Sequence, residues 1–224
     1  MKILIIGFQR SGTTLLRRLF AAHPEVRQIL HEEFLLTRFK TKGEIARYLK
    51  TRKTQIDKQT WGDKTPFYPN IRKIPVSRYC GIWNELFGSQ ARIIHVVRHP
   101  YDVAFSVQRK YSKQTFQKAV TLYRKSIINS VKATLSMPTA ITFKYEDLVL
   151  NPDKIVPQLF EFCNLEASVD FRKLLKNWEN PKYQSFDRSR VFAYKGQKIP
   201  KLKEPLNNII IELNKLVEGP EYEY

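Results

Sequence analysis

Short apolar runs alternate with amphipathic stretches along the chain. KILII at residues 2–6 is apolar beyond its lysine and stops at Gly7, the pattern of a strand buried on both faces. Thr13 to Ala22 then place Leu15, Leu16, Leu19 and Phe20 at helical spacing, with Pro24 closing the segment. Residues 33–53 carry a helical pattern interrupted near Gly43, and Tyr79 to Phe87 carry another that ends at Gly88. ARIIHVV (91–97) is a second buried strand, bounded by Gly88-Ser89 before it and Pro100 after it. Residues 101–135 predict two helices, the first amphipathic through Val103, Phe105, Val107 and Tyr111, and TAITFKY (139–145) predicts a third strand. Pro152 opens a helix with Leu159, Phe160 and Phe162 on its apolar side. Beyond residue 178 the chain is polar and irregular until Leu206 to Val217 form a last amphipathic helix. Apolar strands alternating with helices predict an α/β fold, a central parallel β-sheet flanked by helices on both faces. No repeat or linker divides the chain, so the expectation is a single domain over residues 1–224, with 180–224 a basic loop plus the last helix.

The composition (42% hydrophobic, 12% aromatic, 27% charged over 224 residues) belongs to a globular protein and excludes collagen-like or wholly disordered chains. Cys80 and Cys163 lie far apart with no CxxC, which argues against a disulfide framework or a zinc site and for buried thiols in a reducing compartment. The ILII run is too short for a signal-peptide core or a membrane span, so a cytoplasmic protein is expected. Charge changes the picture more. With 39 Lys+Arg against 21 Asp+Glu, the net charge is +18, which points to a polyanionic partner: nucleic acid, an acidic membrane face, or a phosphate- or sulfate-rich ligand. Two stretches carry most of it. Residues 38–58 (Arg38, Lys40, Lys42, Arg47, Lys50, Arg52, Lys53 and Lys58 against Glu44 and Asp57) have a net charge of +6. Residues 182–203 (Lys182, Arg188, Arg190, Lys195, Lys198, Lys201 and Lys203 against Asp187) also have a net charge of +6.

The chemistry is carried first by Gly7-Phe-Gln-Arg-Ser-Gly12-Thr13-Thr14, placed between the first strand and the first helix. It has the GxxxxG spacing of a nucleoside-triphosphate loop, with Thr14 at the Ser/Thr position. Such glycines let backbone wrap a phosphate at a helix N-terminus. Thr13, however, stands where the loop lysine belongs, so an ATP-dependent kinase or nucleotidase would lack its main counter-charge. RSGTT resembles the first motif of the sulfotransferases that use 3′-phosphoadenosine 5′-phosphosulfate (PAPS), and within them the longer RSGTTLLRRLFAAHPEVR is most similar to the tyrosylprotein sulfotransferases. The resemblance implies the α/β fold of the P-loop-containing nucleotide hydrolases, and binding of the 5′-phosphosulfate by Arg10, Ser11, Gly12, Thr13 and Thr14. Arg10 would stabilise the bridging oxygen as sulfate leaves.

Later segments repeat the likeness in the same order. In Ile94-His-Val-Val-Arg98-His-Pro-Tyr-Asp-Val-Ala-Phe-Ser106, Arg98 and Ser106 match the family's 3′-phosphate pair. An arginine at a strand end offers a planar fork to a phosphate, although a strand-capping arginine paired to Asp102 would look the same. Tyr145-Glu-Asp-Leu resembles the segment whose tyrosine holds the nucleotide, and Lys195-Gly196 a late element that folds over the 3′-phosphate. Trp61-Gly-Asp63-Lys64-Thr-Pro66, turn-like in composition, resembles the segment that makes Lys64 the partner of Arg10 at the transferring group. His31-Glu32-Glu33 follows the first helix at the interval where these enzymes carry their base, which implies Glu32, then Glu33, with His31 an alternative. An acidic N-cap of the next helix is the bland reading of the same residues. Ser185 loosely matches a serine near the leaving phosphate. His95 and His99 straddle a strand end and Pro100, so no metal site is expected.

The resemblance thus implies transfer of a sulfuryl group from PAPS to a hydroxyl or amine of a carbohydrate or peptide tyrosine, giving adenosine 3′,5′-bisphosphate. A non-catalytic polyanion-binding module is the alternative from another class. Nucleic acid is disfavoured, since basicity is the one feature pointing to it. The charge distribution suggests that 182–203 covers the cofactor while 38–58 greets an acidic acceptor.

Overall fold

In the computed structural model, described over residues 1–31, 41, 43–44, 47, 60–67, 75–111, 113–176, 186–202 and 206–223, β1 (Lys2–Phe8) is buried along its whole length. It lies at the centre of a five-stranded sheet of order β2-β3-β1-β4-β5, with β2 at Val26–His31, β3 at Thr60–Phe67, β4 at Ala91–Val97 and β5 at Ala140–Lys144. All four pairings are parallel. The helices are α1 (Thr13–Ala22), α2 (Val76–Phe87), α3 (Pro100–Lys110), α4 (Phe116–Leu135), α5 (Tyr145–Leu150), α6 (Pro152–Phe162), α7 (Phe171–Lys176) and α8 (Asn207–Leu216).

Strand alternation divides the core. Ile3 and Ile5 of β1 face α1, α5, α6 and α7 in a cluster that includes Leu16, Phe20, Leu148 and Phe160. Leu4 and Ile6 face the opposite way, against Trp83 and Cys80 of α2. Phe8 and Val97 at the strand ends pack with α3, α4 and α8. Both cysteines are free and buried, and burial pushes each thiol up to about 12.

The three strands expected from apolar runs are β1, β4 and β5, and the helical patterns at 13–22, 101–135 and after Pro152 form as expected. The last strand ends one residue early, so Tyr145 opens α5 instead of closing β5. Two strands were not anticipated. β3 reads TWGDKTPF, a turn composition, yet its residues Trp61 to Pro66 are all buried between β1 and β2. Gly62 is required by packing there: a Cβ would meet the Ile3 carbonyl oxygen and stand 2.9 Å from Ile29 Cδ1. The helical pattern expected at 33–53 falls almost entirely outside the described residues.

Candidate active site

The chain leaves β1 toward β2 and β3 on one side and returns to β4 and β5 on the other. The carboxyl ends of β1 and β4 therefore frame the crevice where open α/β sheets bind ligands. The loop after β1 is unusual in backbone. Arg10 (φ 71°) and Gly12 (φ 101°) both adopt left-handed conformations, and no side chain caps α1 at Gly12. For a non-glycine residue such as Arg10 this costs about 1–2 kcal/mol. Its carbonyl is held in return by Arg98, whose Nη1 donates to it at 3.1 Å.

Arg98 closes the site from the end of β4. It is 7% exposed, and its Nη2 donates to the Arg190 carbonyl at 2.5 Å and lies 3.7 Å from Asp102 Oδ2. Its guanidinium carbon stands 4.6 Å from the centre of the Tyr145 ring, a cation–π contact. The Tyr145 ring in turn lies against Gly12. From α3, Ser106 accepts a hydrogen bond from Arg10 Nε at 3.0 Å. Five expected residues (Arg10, Gly12, Arg98, Ser106 and Tyr145) therefore form one contact set, drawn from the β1–α1 loop, the β4–α3 turn, α3 and the start of α5.

Lys64 reaches the same loop from β3. It is 1% exposed, and its Nζ is 3.4 Å from Thr14 Oγ1. An ammonium thus reaches the loop from the neighbouring strand. Three of the buried polar atoms without a hydrogen-bond partner among the described residues lie here: Ser11 Oγ, in a fully buried side chain, Arg98 Nε, and Asp102 Oδ2. A buried donor left unpaired costs about 1–3 kcal/mol, a cost that an oxygen-rich ligand at the loop would offset. Burial pushes the Asp102 and Tyr145 pKa values up, with Arg98 opposing the shift in each case.

The sulfotransferase domain family matches residues 1–204. The chain belongs to the sulfotransferase family. Among solved structures, the sulfotransferase domain from the Synechococcus PCC 7002 olefin synthase superposes on it with a TM-score of 0.70 at 20% identity, over 98% of this chain and 96% of that one. The sulfotransferase domain from the curacin biosynthetic pathway gives 0.68 at 20% identity, over 97% of this chain and 98% of that one. A sulfotransferase from Alicyclobacillus acidocaldarius gives 0.54 at 16% identity, over 88% of this chain and 96% of that one. These likenesses establish the shared P-loop-like fold. No curated protein gives a significant match.

Other expected residues of this sulfotransferase lie elsewhere. Lys195 and Gly196 are in a short 3-10 turn (Ala193–Gly196) tied to α3 by the Tyr194 N–H, which donates to Asp102 Oδ1 at 2.9 Å. The Lys195 side chain points to Glu223, 2.7 Å away, and is not in the Arg10–Arg98–Ser106 contact set among the described residues. Glu32, Glu33 and Ser185 lie outside the described residues, as does the side chain of His31 and nearly all of the basic stretch 38–58. His95 is fully buried against Thr134 of α4 (Nδ1 to Oγ1, 3.0 Å), and burial lowers its pKa to about 3. No group of three or more His, Cys, Asp or Glu among the described residues is placed to hold a metal, and none of the described helices is long and apolar enough to cross a membrane.

What supports Arg98 from behind has no local signature in the sequence. Tyr123 of α4 donates its hydroxyl to the Arg98 carbonyl at 2.5 Å. Glu146, fully buried, accepts from the His99 N–H at 2.9 Å and from the Tyr222 hydroxyl at 2.8 Å. Glu146 was visible inside the YEDL segment, but nothing local in the sequence marked its partners.

Proposed function

We propose that this sulfotransferase transfers the sulfuryl group of PAPS to a hydroxyl or amine acceptor and releases adenosine 3′,5′-bisphosphate. The observation that carries the reading is the convergence of Arg98 and Ser106 on the Arg10 loop, where Ser11 Oγ and Arg98 Nε have no hydrogen-bond partner among the described residues. The α1 N-terminus, Ser11 and Thr14 receive the 5′-phosphosulfate, and Arg98 and Ser106 receive the 3′-phosphate. The mouse sulfotransferase SULT7A1, solved with PAP, shares the fold at a TM-score of 0.50 and 17% identity over 89% of this chain and 67% of that one, which supports the choice of nucleotide.

In the reaction, the acceptor oxygen or nitrogen forms a new bond to sulfur while the bond from sulfur to the 5′-phosphate oxygen breaks. The acceptor's proton passes to Glu32 or Glu33. Arg10 and Lys64 bear the charge that develops on the leaving phosphate oxygen. The acceptor is a carbohydrate or a peptide tyrosine, with acidic groups that meet the stretch 38–58.

A thermal-shift comparison tests the nucleotide. Adenosine 3′,5′-bisphosphate is expected to stabilise the protein without metal, while ATP with magnesium and an oligonucleotide do so weakly or not at all. Arg98→Ala is expected to remove the advantage of the bisphosphate over adenosine 5′-monophosphate. Stabilisation by ATP–magnesium alone would replace the reading with a phosphate-loop kinase, for which Lys64 would be the counter-charge. The base is tested separately. Glu32→Gln or Glu33→Gln should lower turnover by about 10²–10⁴-fold with nucleotide affinity retained. Full turnover in both variants would place the base elsewhere.

A further inference from the structure

The segment after α8, Val217–Glu223, is fastened across the two strand-end turns that carry Arg98 and Tyr145. The Asn214 side chain on α8 grips it by the backbone: Nδ2 donates to the Tyr222 carbonyl and Oδ1 accepts from the Tyr222 N–H, each at 2.9 Å. Lys144, at the end of β5, donates to Asn214 Oδ1 and to the Pro220 carbonyl, both at 3.0 Å, and its Nζ lies 4.6 Å from the centre of the Tyr222 ring. On the other turn, His99 Nε2 is 3.0 Å from the Glu223 carbonyl, and the Tyr101 N–H donates to His99 Nδ1 at 3.3 Å. That pattern fits the tautomer with the proton on Nε2. The His99 ring is stacked on Tyr194 at 4.1 Å.

Between the two turns lies a carboxylate with no solvent. Glu146 is 0% exposed and is reached by the His99 N–H on one oxygen and the Tyr222 hydroxyl on the other. A buried carboxylate costs several kcal/mol to desolvate, and well-packed apolar residues commonly serve stability as well. Its geometry gives it a more specific use. One oxygen fixes the residue that follows Arg98, while Glu146 itself follows Tyr145, whose ring lies under the Arg98 guanidinium. The Arg98 carbonyl is held from a third side by Tyr123.

We propose that Tyr222, acting through Glu146, is a positioning residue for the 3′-phosphate subsite: the post-α8 segment clips the β4 and β5 turns together and sets the aim of Arg98. This inference rests on the reading that Arg98 receives the 3′-phosphate. Tyr222 touches neither nucleotide nor acceptor. It acts by fixing the His99 N–H and, with it, the peptide that carries Arg98. The effect is therefore larger for ligands that bear a 3′-phosphate than for those that meet only the β1–α1 loop.

The test measures dissociation constants for adenosine 3′,5′-bisphosphate and adenosine 5′-monophosphate on the wild type, Tyr222→Phe, Asn214→Ala and Arg98→Ala. Tyr222→Phe keeps the ring and removes one hydroxyl. It should weaken the bisphosphate about fivefold to tenfold, the scale of one hydrogen bond, and change the monophosphate by less than about twofold. The KM for the sulfuryl donor should rise by the same factor, with a smaller change in kcat. Asn214→Ala loosens the segment by removing its two bonds to the Tyr222 backbone and one bond from Lys144, leaves Glu146 in place, and should shift the ratio in the same direction, which covers the case of a poorly folding Tyr222→Phe. An unchanged bisphosphate-to-monophosphate ratio in both variants, or an equal loss for both ligands, overturns the clip while Arg98→Ala still collapses the ratio. If the wild type has no preference for the bisphosphate, the reading of Arg98 falls first and takes the clip with it.

Discussion

Lys64→Met is expected to lower turnover by about 10²–10³-fold, the cost of one preorganised donor, while adenosine 3′,5′-bisphosphate affinity stays within about threefold of wild type. The substitution keeps the buried aliphatic volume of a side chain that is 1% exposed, so the fold loses little packing. What it removes is the ammonium 3.4 Å from Thr14 Oγ1. The reacting group changes charge only as the bond to sulfur breaks, so a cation aimed there acts mainly on the transition state. A nucleotide product that no longer carries sulfate should miss it less. Measuring kcat and the bisphosphate dissociation constant side by side separates the cases. Equal losses in both would make Lys64 a plain anion-binding residue, and no loss would remove it from the reaction.

The place of Lys64 also shows which parts of the site could be read in the sequence. Arg10 through Thr14 were legible because a strand, a glycine turn and a helix follow one another locally, and Arg98 because it directly follows an apolar run. β3 was not, since it breaks the usual strand composition with Gly62, Asp63, Lys64 and Pro66 in consecutive or alternate places. Its position between β1 and β2 comes from tertiary fit: Gly62 admits the Ile3 carbonyl, and Thr65 Oγ1 donates to Asp63 Oδ2 at 2.9 Å within the buried strand. The resemblance identified Lys64, while composition alone would have placed it in a surface turn. Glu146 and Tyr222 were out of reach for another reason. They are 76 residues apart, and only the folded chain brings a hydroxyl to that carboxylate.

Charge sharpened in the same way. In the second basic stretch, Arg190 is paired with Asp187 at 2.7 Å and Lys195 with Glu223 at 2.7 Å. All four side chains are more than a third exposed, so each pair contributes at most about 1 kcal/mol and yields readily to a stronger anion. A nucleotide bringing roughly four negative charges is such a competitor. The basic residues of this stretch thus do not mark a nucleic-acid surface by themselves: two of them are held in weak, replaceable pairs, and one of the two, Arg190, is the residue whose carbonyl Arg98 holds.

Gly12→Ala should have the largest structural effect in the loop. At φ 101° an L-residue costs about 1–2 kcal/mol, and only glycine adopts this region freely. The added Cβ would also stand 2.8 Å from Tyr145 Cε2 and nearer still to Cδ2. Tyr145 has little room to retreat, being 5% exposed with the Arg98 guanidinium over its ring. Overpacking of this kind costs about 1–3 kcal/mol. The two effects together lower Tm by roughly 5–15 °C for a chain of this size. The ring cannot move without disturbing Arg98, so bisphosphate-induced stabilisation should also disappear. Gly81→Ala is the matched control: its Cβ meets nothing within 4 Å in α2, and the change should hold or raise Tm by relieving helix-glycine entropy. A Gly12→Ala protein with wild-type Tm and full bisphosphate response would show that the loop, Tyr145 and Arg98 do not work as one unit.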